Sequence, residues 1–132
     1  MNQKNLNAVN SKPYTFDAVK VKNEIVGWIR EYFRQNGSDC KAIIGISGGK
    51  DSSFVAALCV EALGEDRVIG VLMPDGYQKD IGDAEQLCEH LGIKSYEINI
   101  GNATEAIRVA MIACDLVPSV QTKTNLPPRI RM

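Results

Sequence analysis

The chain has 132 residues, of which 45% are hydrophobic and 23% charged, and a formal net charge of −1. These figures describe one ordinary globular domain, and the near-neutral balance excludes a general binder of nucleic acid or membrane surfaces, because phosphate-rich partners call for a basic face. No apolar run reaches the roughly 18 residues of a membrane span and no signal-like segment opens the chain, so a cytoplasmic setting is expected.

Residues 1–16 are polar and interrupted by Pro13; they are expected to form an arm, with the domain proper over 17–132. A helix is predicted over 17–35, where Val21, Ile25, Trp28, Ile29 and Tyr32 recur at helical spacing. Trp28 and Tyr32 are expected to pack in the core or at an interface. Asn36-Gly37 is a fitting stop. Residues 41–46 form an apolar run expected to be a parallel strand buried on both faces. A helix over 52–63 should face Val55, Leu58, Cys59, Ala62 and Leu63 inward and end at Gly64.

Residues 67–73 are predicted as a second buried strand, stopped by Pro74 and followed by an Asp75-Gly76 turn. A helix over 80–90, capped by Asp80, presents Ile81, Ala84, Leu87, Cys88 and Leu91; the lone His90 at its end is expected to face solvent. Residues 93–100 are predicted as a third strand. A helix capped by Asn102 should run to about residue 114, with Ala103, Ala106, Ile107, Ala110 and Met111 apolar. Beyond Pro118 the tail holds Pro127 and Pro128, the latter expected in the first turn of a helix that barely begins. Cys40, Cys59, Cys88 and Cys114 form no C-x-x-C pair, so reduced structural thiols are expected rather than a zinc or redox site.

Strands alternating with helices imply a parallel α/β sheet with right-handed crossovers. In such sheets ligands bind at the carboxyl ends of the strands, where residues 47–52 and 73–78 fall. The first of these segments carries the chemistry. Two successive glycines, Gly48 and Gly49, leave backbone N–H groups uncovered for an anion. A helix start near Ser52 adds its dipole and free N–H groups. Ser47, Ser52 and Ser53 supply hydroxyls and Lys50 a positive charge, so the ensemble is a phosphate cradle. It is neither a Walker A loop, since Ile44 and Asp51 stand where Gly and Ser or Thr are required, nor a Rossmann G-x-G-x-x-G, since Gly45, Gly48 and Gly49 are wrongly spaced.

Asp51 is the diagnostic departure. A carboxylate in a phosphate cradle repels the ligand unless a cation lies between them, and magnesium binds through one or two carboxylates and the phosphates. Asp51 is therefore the candidate magnesium ligand; the bland alternative is that it only caps the following helix.

Ser47-Gly48-Gly49-Lys50-Asp51-Ser52 resembles the SGGxDS loop of the ATP pyrophosphatases, and three further stretches resemble the NAD synthetases among them. These are Gly45-Ile46-Ser47-Gly48-Gly49, then Leu72-Met73-Pro74-Asp75-Gly76 with Asp83-Ala84, and Asn125-Leu126-Pro127-Pro128-Arg129-Ile130-Arg131-Met132. The resemblance covers about residues 17–132 and weakens over 114–124. It implies a Rossmann-like parallel sheet with flanking helices, of the adenine nucleotide alpha-hydrolase type, represented by its N-terminal half of about three strands. It implies ATP and Mg2+ as cofactors, and deamido-NAD and ammonia as substrates. Gly45, Ile46, Ser47, Gly48, Gly49, Lys50, Asp51, Ser52, Leu72 and Met73 would meet ATP. Ser47, Lys50 and Asp51 would act in catalysis, Asp51 on the metal. Asn125, Arg129 and Arg131 would bind deamido-NAD; arginine's planar fork suits an anionic dinucleotide.

Family members continue past the R-x-R-M segment to a fourth strand and to a glutamate that joins Asp51 on the metal, and neither lies within these residues. Strand 41–46 is therefore expected at a sheet edge, where an apolar strand invites self-association, as a homodimer or otherwise. GMP synthetases and tRNA-modifying pyrophosphatases share the loop, but a tRNA enzyme calls for a basic surface or a cysteine metal set. A catalytically silent nucleotide-binding fragment is the remaining alternative.

Overall fold

In a computed structural model of the chain, residues 15–77 and 81–132 are described. Most of the arm expected over 1–16, and the Asp80 cap, lie outside them. The element order is α1 (Ala18–Asn36), β1 (Ala42–Gly45), α2 (Lys50–Leu63), a 3-10 turn (Glu65–Arg67), β2 (Val68–Leu72), α3 (Ile81–His90), β3 (Lys94–Glu97), α4 (Gly101–Ala113) and α5 (Val120–Arg131). Among the described residues, no helix is long and apolar enough to cross a membrane.

The three strands form one parallel sheet in the order β1-β2-β3, with Ala42 opposite Val68 and Ile69 opposite Lys94. Strand order equal to chain order, with right-handed crossovers, puts α2 and α3 on the same face. The packing agrees: a Cβ built on Gly70 would lie 2.8 Å from Cys88 Sγ of α3, and Ala56, Leu58 and Cys59 of α2 share one buried cluster with Ala84 and Cys88 of α3. The core joins Val26 and Ile29 of α1, Ala56, Leu58 and Cys59 of α2, Val68 and Leu72 of β2, and Ala84 and Cys88 of α3. Arg30 strengthens the α1–α2 contact by donating from Nε to Ala62 O (3.0 Å) and from Nη2 to Glu61 O (2.7 Å), taking up carbonyls that the end of α2 leaves open.

The opposite sheet face is thinly covered. Ile43 of β1 is 70% exposed and Ile98, just past β3, 54%; Tyr96, opposite Val71 in the register, is also exposed. The expectation of a first strand buried on both faces is thus corrected: β1 alternates, and only the side facing α2 and α3 is closed. Its position at the sheet edge is as expected.

Several other expectations change. On α1 the buried positions are Val26 and Ile29, while Trp28 (66% exposed) and Tyr32 (51%) stack on each other outside, ring centroids 5.5 Å apart. The helix start is conventional, Asp17 Oδ1 accepting the Lys20 N–H at 3.0 Å. Val55 of α2 is exposed rather than inward. Asn102 does not cap α4, which begins one residue earlier at Gly101 and buries no residue. The last segment is a full helix, not a barely begun one. Ser119 Oγ caps it by accepting the Thr122 N–H at 3.1 Å, and the helix runs on through Pro127 and Pro128. As expected, all four cysteines are free: Cys59 and Cys88 are buried, Cys40 and Cys114 exposed.

Candidate functional site

The loop after β1 closes a compact hydrogen-bond ring. Ser52 Oγ accepts the Ser47 N–H (3.2 Å) and donates to Gly49 O (3.0 Å), and the Ser47 and Ser52 hydroxyls are 3.1 Å apart. Ser47 Oγ accepts the Gly49 N–H at 3.2 Å. Ser53 Oγ donates to Gly49 O at 2.9 Å, so this hydroxyl supports the loop from below rather than serving a ligand, as the sequence suggested it would. Gly48 sits at φ 76°, a conformation that disfavours a side chain.

α2 starts at Lys50, two residues earlier than the sequence suggests, with Gly49 as N-cap and no side-chain cap. Its first-turn N–H groups therefore face the mouth of the loop without a side-chain acceptor, the condition for anion binding. Asp51 lies within that first turn, exposed, and makes no capping bond. The bland reading of Asp51 as a cap is thereby removed. One exposed carboxylate at the mouth of a phosphate-type loop suits a magnesium ion whose other ligands are phosphate oxygens and water. Among the described residues, no group of three or more His, Cys, Asp or Glu forms a complete metal site.

Beside the loop lies a cleft of about 260 Å³, lined by Gly45, Ile46, Ser47, Leu72, Met73, Pro74, Ile81, Ala84 and Arg131. Two strand ends, the start of α3 and the end of α5 thus meet there. Arg131 Nε donates to Met73 O at 2.8 Å. Of the residues singled out in the sequence, Gly45, Ile46, Ser47, Leu72 and Met73 converge on this cleft, and Arg131 joins them. Gly48, Gly49, Lys50, Asp51 and Ser52 do not line it, nor do Asn125 and Arg129, which line a shallow depression on α5 with Ser119, Gln121, Thr122 and Leu126.

A larger hollow of about 680 Å³ separates the β2–α3 loop from α4 and α5, with Asp75, Asn99, Glu105, Arg108 and Lys123 among its walls. Thr104 Oγ1, also in its lining, is buried with no hydrogen-bond partner. Asn99 escaped the sequence reading. Its carboxamide bonds Gly76 in both directions and also accepts the Gly101 N–H. The one local signal was an Asn two residues before a Gly at a strand-to-helix junction, and its partner loop lies 23 residues away.

The chain matches the NAD synthase family over residues 21–132. It is 41% identical over 118 residues to the NH3-dependent NAD(+) synthetase of Methanococcoides burtonii, a match covering 88% of this chain and 44% of that protein. Two solved structures share the fold. The NH3-dependent NAD synthetase of Campylobacter jejuni, in complex with nitrate, matches with TM-score 0.78 at 28% identity, covering 89% of this chain and 50% of that one. The glutamine-dependent NAD+ synthetase of Acinetobacter baumannii, in complex with ADP, matches with TM-score 0.79 at 28% identity, covering 93% of this chain and 24% of that one. The chain spans half the length of these relatives or less.

Proposed function

The chain belongs to the NAD synthase family, and on that premise we propose that the protein amidates deamido-NAD with ammonia at the expense of ATP. A deamido-NAD carboxylate oxygen bonds the α-phosphorus of ATP as the α–β bridge breaks and pyrophosphate leaves. Ammonia then bonds the acyl carbon of the adenylate, AMP leaves and a proton is lost, giving NAD.

One observation carries this reading: Ser47, the first residue of the phosphate-type loop, lines the same cleft as the Leu72–Met73 strand end. A nucleotide whose base lies against Met73 has its phosphates toward Ser47 and the first turn of α2. There, free N–H groups, the helix dipole and Lys50 stabilise the departing pyrophosphate. Asp51 is the residue that would hold Mg2+ with the phosphates, and the ion would offset their charge. The ADP in the Acinetobacter baumannii relative supports an adenine nucleotide here. Asn125 and Arg129 on α5 are assigned to deamido-NAD, the guanidinium to an anionic group of the substrate.

The whole protein, given deamido-NAD, ATP, Mg2+ and ammonium, forms NAD with one pyrophosphate released per turnover. Pyrophosphate release without NAD, or neither, refutes the assignment; glutamine substituted for ammonium tests the nitrogen donor.

The 132-residue chain is also proposed to self-associate through the edge of β1 and the apolar surface beside it, on the strength of exposed Ile43, Tyr96 and Ile98. Light scattering that reports a stable monomer across a hundredfold dilution, about 1 to 100 µM (within the range where such contacts populate), eliminates it.

A further inference from the structure

The two arginines of Arg129-Ile130-Arg131 stand on different sides of α5. Two residues along an α-helix is a rotation of about 200°, so side chains at 129 and 131 point nearly opposite ways. Arg129 accordingly lines the shallow depression with Asn125, one helical turn before it, while Arg131 lines the cleft between the strand ends. There it meets the protein's own backbone, its Nε donating to Met73 O across 58 residues of sequence.

We propose that Arg131 is a positioning residue for the nucleotide cleft rather than a ligand of deamido-NAD: it holds the Met73 wall at the width an adenine nucleotide needs. The proposal rests on the reading of that cleft as the ATP site. Met73 lies just beyond the last β2 residue, Leu72, where the ladder no longer fixes the chain. Its neighbours are held from the β3 side, by Ile98 N–H on Leu72 O (2.8 Å) and Ile100 N–H on Pro74 O (2.8 Å). The Met73 carbonyl alternates with these two and points away from that side, toward α5, where the guanidinium takes it. On the opposite wall, the Met73 methyl group reaches within 3.4 Å of a Cβ built on Gly45. A wall that swings outward would therefore open the cleft, and one that swings inward would close it against Gly45. Arg131 fixes the distance. A guanidinium suits the task because its planar fork keeps its geometry and is only weakly hydrated. Because Arg129 is on the same helix, the tie also links the two surfaces assigned to the two substrates.

The test compares the 132-residue chain with R131A, R131K and R129A, using a fluorescent ATP analogue with Mg2+ for affinity and amide hydrogen exchange of the ligand-free proteins. R131A is expected to weaken analogue binding about tenfold, the effect of one hydrogen bond to a charged donor, and R131K to recover part of that loss. R129A is expected to leave binding within twofold of wild type. Exchange at Ile98 and Ile100, whose N–H groups flank the Met73 wall, should quicken in R131A and not in R129A. Unchanged exchange at these two amides in R131A overturns the proposal, whether or not the analogue binds. So does an equal loss of affinity in R129A. If wild type binds no analogue but the two amides respond to R131A alone, the positioning role stands and the assignment of the cleft to ATP falls.

Discussion

Asn99 and Gly76 bond each other twice: Asn99 Oδ1 accepts the Gly76 N–H at 3.1 Å, and Asn99 Nδ2 donates to Gly76 O at 2.9 Å. The same Oδ1 accepts the Gly101 N–H at 2.9 Å, so one side chain ties the loop after β2 to the first residue of α4. Replacing Asn99 by Ala removes all three bonds at once. Because the region is solvent-accessible and water can take over part of them, the expected cost is about 1–2 kcal/mol, read as a lower urea midpoint with an unchanged slope. N99D keeps the acceptor but sets a carboxylate oxygen against Gly76 O, and should fall no better than midway between wild type and N99A.

Two glycines make opposite predictions. At Gly101 a Cβ would lie 2.8 Å from the Gly76 backbone nitrogen, an approach that cannot be relieved by turning a side chain. G101A is therefore expected to destabilise by about 1–3 kcal/mol, as overpacking does. At Gly27, inside α1, nothing lies within 4 Å of the built Cβ. G27A should stabilise by about 0.5–1 kcal/mol through the lower entropy of the unfolded chain and the better helix propensity of Ala. Thermal unfolding of both variants checks the pair; equal shifts of one sign would falsify the packing argument.

Ser52 closes the phosphate loop with its hydroxyl, touching the Ser47 N–H, the Ser47 hydroxyl and Gly49 O. S52A leaves the Ser47 N–H without its side-chain acceptor and lets the loop open. Affinity for pyrophosphate or ATP is expected to fall about tenfold, equivalent to roughly 1.4 kcal/mol, while global stability changes by less than about 1 kcal/mol because the loop is exposed. D51N separates charge from shape in the same turn. Its binding of ATP should lose most of its dependence on Mg2+ while metal-free binding strengthens, since a repulsive carboxylate has gone. Isothermal titration with and without Mg2+ reads both.

The thiols divide by burial. Desolvation raises the pKa of Cys59 and of Cys88, the latter opposed in part by a hydrogen bond with Ser95. The folded protein holds these protons more tightly than the unfolded chain does. Their contribution to stability is thus complete below the ordinary thiol value, roughly 8.5 for an exposed cysteine, and is lost as pH rises through the raised folded value. At pH 8 a thiol reagent should label Cys40 and Cys114 promptly, and Cys59 and Cys88 only on unfolding. Prompt labelling of all four in the native protein contradicts the packing described.

The strand-and-helix alternation was legible because β1 and β2 are short apolar runs with Gly or Pro close behind them, and α1, α2 and α3 carry 3.6-residue stripes; β3 itself is polar, Lys94-Ser95-Tyr96-Glu97, with apolar residues only at its flanks. The phosphate loop was legible because its chemistry is local: six consecutive residues, with Asp51 where other phosphate loops have a hydroxyl. What sequence could not decide is which of two overlapping stripes on α1 would be inward. Ile25 and Ile29 fit both, and the position of α2 selects Val26 over Trp28 and Tyr32. Strand ends were overestimated at residues 46, 73 and 98–100. Those residues have left the ladder, with single bonds such as Ile46 N–H to Val71 O in place of paired ones, and Ile100 already has the helical conformation that leads into α4. α5 was underestimated because Pro128 reads as the first turn of a new helix, whereas the Ser119-x-x-Thr122 cap starts the helix before it. The separation of Arg129 from Arg131 needed that helix to be known.

The sheet of described strands runs in one direction only, β1 to β2 to β3, with α2 and α3 on one side. Open α/β sheets place their ligand crevice where the winding reverses, between two strands whose following helices leave on opposite sides. A one-way sheet has no such reversal, so the Ser47–Ser52 loop stands on a step with a single bank. Only a strand added outside β1, leading to a helix over Ile43 and Ile98, would raise the second bank. Affinity for nucleotide and the closing of that bare face should therefore rise together, as one event.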